Sequence, residues 1–234
     1  MRSPAPYTSP PLESGPIPPP PESAPRRSFL KVAGVGAAGM LLASAGCRIN
    51  KDEETNSVNV GKHDLAVLNY AYALEQLEAA YYEKVTSSFY AGATALEKDL
   101  LTDIRNDEIA HREWFREVLT LKKVPKLEFD FSSINFTDRT TVLTAARDFE
   151  DIGVSAYNGA GQLLALSPFL NHAGKIVSVE ARHAATIRNL LSFGSFADVA
   201  DANGLDLVRT PPQVMALADK YFVTKIKVDE LPTH

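Results

Sequence analysis

Asp107-Glu108-Ile109-Ala110-His111 and, 72 residues on from Glu108, Glu180-Ala181-Arg182-His183 decide how this chain is read. A Glu and a His three positions apart on a helix lie on one face, about one turn apart. Two such pairs facing each other inside a helical bundle can grip two metal ions. The first pair falls in a clear stripe: Leu96, Leu100, Ile104, Glu108, His111, Phe115 and Leu119, every step three or four residues. Glu108 and His111 occupy positions where that pattern demands apolar side chains.

Three further helices are predicted around this one, which itself spans about Ala93 to Lys123. Residues 62–89 contain no Pro or Gly and carry the stripe Leu65, Leu68, Tyr72, Glu75, Ala79, Tyr82. A third helix starts near Thr137-Asp138, both good cap residues. It runs to about Leu166 with the stripe Leu143, Ala146, Glu150, Val154, Tyr157. Gly153, Gly159 and Gly161 weaken its second half. Ser167-Pro168 reads as a cap followed by the first helical position of a fourth helix. Its stripe is Ile176, Glu180, His183, Ile187, Leu190, and Gly194 closes it. Residues 124–138 have no helical period and are long for a hairpin, so they suit a crossover running the length of a bundle. Residues 194–234 form a C-terminal extension, with one short helix expected around Pro212–Phe222 and the rest packed over one end of the bundle.

Composition bounds the function. Of 234 residues 45% are hydrophobic and 23% charged, enough for one sizeable core. A net charge of −5 argues against a nucleic-acid partner, which calls for a basic patch. A single cysteine, Cys47, rules out an intramolecular disulfide and thiolate chemistry of the CxxC kind. No apolar run reaches the 18 or so residues of a transmembrane helix.

Residues 1–47 read as a Pro-rich segment plus an export signal. Ten of the fifteen prolines lie in residues 1–25. Arg26-Arg27-Ser28-Phe29-Leu30-Lys31 then precedes an uncharged small-residue run, Val32 to Gly46. RRSFLK resembles the twin-arginine signal, which implies export of a folded protein to the periplasm. Ser44-Ala45-Gly46-Cys47 resembles a lipoprotein processing box, departing from it at Ser44, where Leu is usual. That resemblance implies a lipid on Cys47 and attachment to a membrane surface; the other reading is a cysteine within a cleaved peptide. Residues 48–61 read as a polar linker leading to a bundle over 62–193.

The two halves of the bundle match. Glu75 has Tyr82 seven residues on, and Glu150 has Tyr157 seven residues on; each half then continues to a Glu-x-x-His. This order resembles the ferritin-like di-iron and di-manganese carboxylate family. Leu74-Glu75-Gln76-Leu77-Glu78-Ala79-Ala80-Tyr81-Tyr82 looks like the first helix of its exported, desiccation-associated members. The resemblance implies an all-α ferritin-like four-helix bundle with a long crossover between helices 2 and 3. It also implies two iron ions or two manganese ions held by Glu75, Glu108, His111, Glu150, Glu180 and His183, with Glu108 and Glu180 as bridges. Four carboxylates balance two divalent ions, as buried charge requires, and a thiolate-free set suits iron or manganese better than copper, with zinc also compatible. Tyr82 and Tyr157 are placed to hydrogen-bond a ligand or give up an electron; the other reading is that they are core side chains. Asp107 is placed to orient His183, whereas Val179 occupies the matching position on the other side and leaves His111 to find another acceptor.

Glu78 rivals Glu75 and Asp151 rivals Glu150; His63 and His172, at helix starts, are expected at the surface. The family implies oxidation of Fe(II), or reduction of O2 or peroxide, under oxidative or drying stress. Two other readings are a manganese-catalase-like activity and a non-catalytic surface lipoprotein. A homo-oligomer is compatible with the sequence, but a tethered N-terminus is awkward in a closed ferritin shell.

Overall fold

The computed structural model describes residues 51–52 and 57–232. The Pro-rich segment, the export signal and Cys47 lie outside them. Four long helices make the bundle: α1 (His63–Ser87), α2 (Ala95–Leu119), α3 (Arg139–Ala160) and α4 (Ser167–Leu191). A shorter α5 (Pro211–Ala218) follows, and strands β1 (Lys51–Asp52), β2 (Ser57–Asn59) and β3 (Lys225–Lys227) form one small sheet. The helices pack as two hairpins, α1 with α2 and α3 with α4, joined through α1 against α3. Among the described residues no helix is long and apolar enough to cross a membrane.

Local chemistry fixes the helix ends. Thr94 and Glu97 form a reciprocal capping box at the start of α2, each side chain taking the other's backbone N–H. Glu97 is also bound by Arg139 Nε at 2.6 Å, and the Arg139 guanidinium reaches the Leu190 carbonyl at 2.8 Å. One residue thus ties together the starts of α2 and α3 and the end of α4. This explains a correction to the stripe of α2: Leu96 is 63% exposed, and Glu97 turns inward in its place. Asp138 caps α3 through the Thr141 N–H, as expected. On α4 the cap position is Leu166, with Ser167 and Pro168 already helical. Asp64, in the first turn of α1, instead accepts the N–H groups of Ala165 and Leu166.

The crossover runs along α1, held by two polar side chains that face inward. Asn69 accepts the Val124 N–H at 2.8 Å and donates to the carbonyls of Val60 and Lys122. Two turns on, Gln76 accepts the Leu127 N–H and donates to the Pro125 carbonyl. Phe131 then packs edge-on against Tyr81, and Ala91 N–H reaches the Thr137 carbonyl just past the end of α1. The chain thereby satisfies its own backbone polar groups beside a helix that is buried almost all round from Ala66 to Ala79.

The end of the expected polar linker is structural. Ser57–Asn59 pair in parallel with Lys225–Lys227, and Val58 and Val60 are fully buried. A three-residue strand carries too little alternation to be read from sequence. The C-terminal extension lies along the flank of α3 rather than over one end of the bundle. Arg209 and Leu207 bond to Ser155 and Asn158, α5 packs on α3, and Tyr221 meets Phe149 edge to face. Gly159 permits this approach, since a β-carbon there would overlap the Arg209 carbonyl oxygen. α3 continues through Gly153 and Gly159 to Ala160 despite their poor helix propensity.

Candidate metal centre

Each long helix delivers acidic or imidazole side chains to one buried point. Glu75 from α1, Glu108 from α2, Glu150 from α3 and Glu180 from α4 are all completely buried. His183 is 6% exposed and the His111 side chain 12%. These six residues form two overlapping sets, Glu75–Glu108–His111–Glu180 and Glu108–Glu150–Glu180–His183, with the contributing atoms of each set within 4.8 Å of one another.

The atoms divide with near-twofold regularity. His111 Nδ1 faces Glu180 Oε1 at 2.9 Å, Glu75 Oε2 at 3.5 Å and Glu108 Oε2 at 3.7 Å. His183 Nδ1 faces Glu108 Oε1 at 2.9 Å, Glu150 Oε2 at 3.5 Å and Glu180 Oε2 at 3.6 Å. Glu108 and Glu180 therefore offer one oxygen to each set, while Glu75 and Glu150 each serve one. Both oxygens of Glu108 and Glu180, Oε2 of Glu75 and Glu150, and both Nδ1 atoms are buried without a hydrogen-bond partner. Unsatisfied buried polar atoms cost about 1–3 kcal/mol each, more when charged. Eight of them converging on one spot fit a pair of cations that would satisfy them all.

The protein groups alone sit uneasily together. Burial pushes the Glu75 and Glu150 carboxyls up to about 8, against the lowering pull of His111 and His183 respectively. Burial would also raise Glu180, but the two neighbouring imidazoles hold it down at about 2. Burial opposes charge on the two imidazoles as well. It is outweighed by Glu75 at His111 and by Glu150 at His183, so both stay protonated well above the ordinary histidine range.

The remaining oxygens of the terminal carboxylates are occupied by tyrosines from the opposite half. Tyr82 donates to Glu150 Oε1 at 2.5 Å, and Tyr157 donates to Glu75 Oε1. Burial, followed by the neighbouring carboxylate, holds both phenols well above their ordinary values, so they keep their protons. Asp107 lies 3.4 Å from His183 Nε2, where it orients the ring as expected. Val179 offers no such group to His111.

The rivals fall aside for different reasons. Asp151 pairs with Arg188, away from the cluster. His63 is exposed, and His172 is half-buried and stacked on Trp114 at 4.9 Å. Glu78 belongs to neither set, yet it is 2% exposed with Oε2 unpartnered. Burial and then the charges of Glu180 and Glu108 hold its carboxyl well above the usual range. Its counterpart in the second half is Gly153, and Glu78 fills the space that this glycine leaves, with Oε1 2.8 Å from where a β-carbon would sit. Comparing positions 78 and 153 across the two halves is the signal that would have marked it.

A four-helix bundle with a doubled, buried carboxylate–histidine cluster defines a class of proteins whose core could hold metal. The chain belongs to the ferritin-like domain family, whose model matches residues 63–192 and so spans all four long helices. No curated protein matches the sequence.

Proposed function

We propose that this is an exported ferritin-like protein holding two iron or two manganese ions and oxidising Fe(II), or reducing O2 or peroxide, in stress protection. The observation that carries this reading is the sharing of Glu108 and Glu180 between two otherwise separate sets of unsatisfied ligand atoms. Glu75, Glu108, His111 and Glu180 would hold one ion, and Glu108, Glu150, Glu180 and His183 the other. The ions, when bound, would supply reversible one-electron chemistry toward a small oxidant.

The protein's own part is positional. Tyr82 and Tyr157 each occupy one oxygen of a terminal carboxylate, leaving the other aimed into the cluster. Asp107 faces the outward nitrogen of His183, which orients the ring with Nδ1 inward. The surrounding core excludes bulk water from the charged groups. RRSFLK supports export by the twin-arginine route, and the Gly46-Cys47 step supports a lipid anchor on Cys47.

The test is the rate of Fe(II) oxidation in air, alongside peroxide disproportionation by manganese-loaded protein. The proposal expects the full chain to accelerate the first well above buffer, and Glu108→Ala with His183→Ala to abolish that gain. Equal rates in wild type, double variant and buffer would refute it. Peroxide disproportionation by the manganese form alone would favour the catalase-like reading.

A further inference from the structure

We propose that a small apolar cavity beside Tyr157 is a binding site for an apolar diatomic gas, and that dioxygen reaches the cluster through it. Naming dioxygen rests on the proposed function; the preference for a gas rests on the cavity itself. The cavity measures about 20 Å³ and lies where all four long helices meet near the start of α4. Ala71, Phe115 and Tyr157 form its buried floor, and the half-buried Trp114, Phe169 and Ala173 form its mouth.

Size and lining together select the occupant. A cavity of roughly 10–15 Å³ holds one water, provided two to four polar partners anchor it. This one is large enough for one small molecule, but its walls are almost wholly apolar. The Tyr157 hydroxyl is committed to Glu75. Water gains nothing there, whereas a diatomic gas needs no partner. The same tyrosine that floors the cavity bonds a terminal carboxylate of the cluster, so one side chain separates the gas site from Glu75. The matching Tyr82 is fully buried and packed edge-on against Tyr81 at 5.2 Å.

Trp114 is the chain's single tryptophan and lines the mouth, which makes it a reporter. Dioxygen and xenon quenching of its fluorescence is measured on metal-stripped full chain, with acrylamide as the polar comparison. Ala173→Leu, which fills the open mouth of the cavity, should lower quenching by both gases by about threefold or more. Acrylamide quenching should not change. Ala173→Val should give the same order in lesser degree, and its smaller volume guards against misfolding of the first variant. Gas quenching unchanged in both variants, or acrylamide falling in parallel, would overturn the site. Gas selectivity in a chain that does not oxidise Fe(II) would sink the proposed function and leave the cavity standing. Fe(II) oxidation with no gas selectivity would do the reverse.

Discussion

The Tyr82 hydroxyl donates to Glu150 Oε1 at 2.5 Å, so a tyrosine of the first half of the bundle serves a carboxylate of the second. Tyr157 returns the arrangement to Glu75. The two hairpins are thereby cross-linked at the cluster itself. Tyr82→Phe removes the donor and leaves a buried carboxylate oxygen unsatisfied, which costs about 1–3 kcal/mol. Metal affinity should fall by about tenfold or more, the usual effect of losing a partner behind a ligand. Thermal unfolding and metal titration of Tyr82→Phe, Tyr157→Phe and the pair check this; no change in either measurement would count against it.

Metal loading at pH 7 should release protons. Glu75 and Glu150 titrate at about 8, and His111 and His183 are held protonated higher still. Ligation needs all four deprotonated. Affinity should therefore rise as pH increases through 8, and calorimetric heats should differ between two buffers of unlike ionisation enthalpy. Heats independent of buffer would contradict it.

Glu97 gives the fold an acid-sensitive joint. Burial would raise its carboxyl, but the Thr94 and Arg139 hydrogen bonds lower it to about 2, from 4.5 for an unperturbed Glu. Its contribution is therefore intact above pH 4.5 and is lost as pH falls from 4.5 toward 2. Glu97→Gln should cost about 1 kcal/mol at pH 7, the usual worth of a cap. The difference from wild type should shrink over that acid window in urea titrations.

Gly159→Ala should destabilise the protein, although alanine is the better helix former by roughly 0.5–1 kcal/mol. The added methyl would overlap the backbone carbonyl of Arg209, which cannot swing aside as a side chain could. Overpacking of this kind typically costs about 1–3 kcal/mol. Urea unfolding decides the sign, and an increase in stability would show that the 207–210 segment does not hold its place on α3.

The bundle was legible because its helices are long and their stripes regular. Glu108 and His111 stood out only because apolar residues flank them at every turn from Ile104 to Leu119. Pseudo-symmetry then singled out Glu75 and Glu150, and with them Tyr82 and Tyr157. What stayed hidden depended on contacts distant in sequence. Asn69 and Gln76 look like ordinary polar residues until the crossover lies against them. Glu97 turns inward only because Arg139 comes from another helix, and Val58 pairs with Ile226 across 168 residues of chain. The crossing of each tyrosine to the opposite half was likewise invisible, since periodicity fixes a face but not a partner.

The most direct measurement is the metal content of the purified full chain after loading with Fe(II) or Mn(II) and removal of excess. Because Glu108 and Glu180 serve both sets, two ions per chain are expected in the wild type. At most one is expected in Glu75→Ala, and none in a Glu108→Ala, Glu180→Ala double variant that still folds. No bound iron or manganese in the wild type, or a double variant that retains both ions, would contradict it.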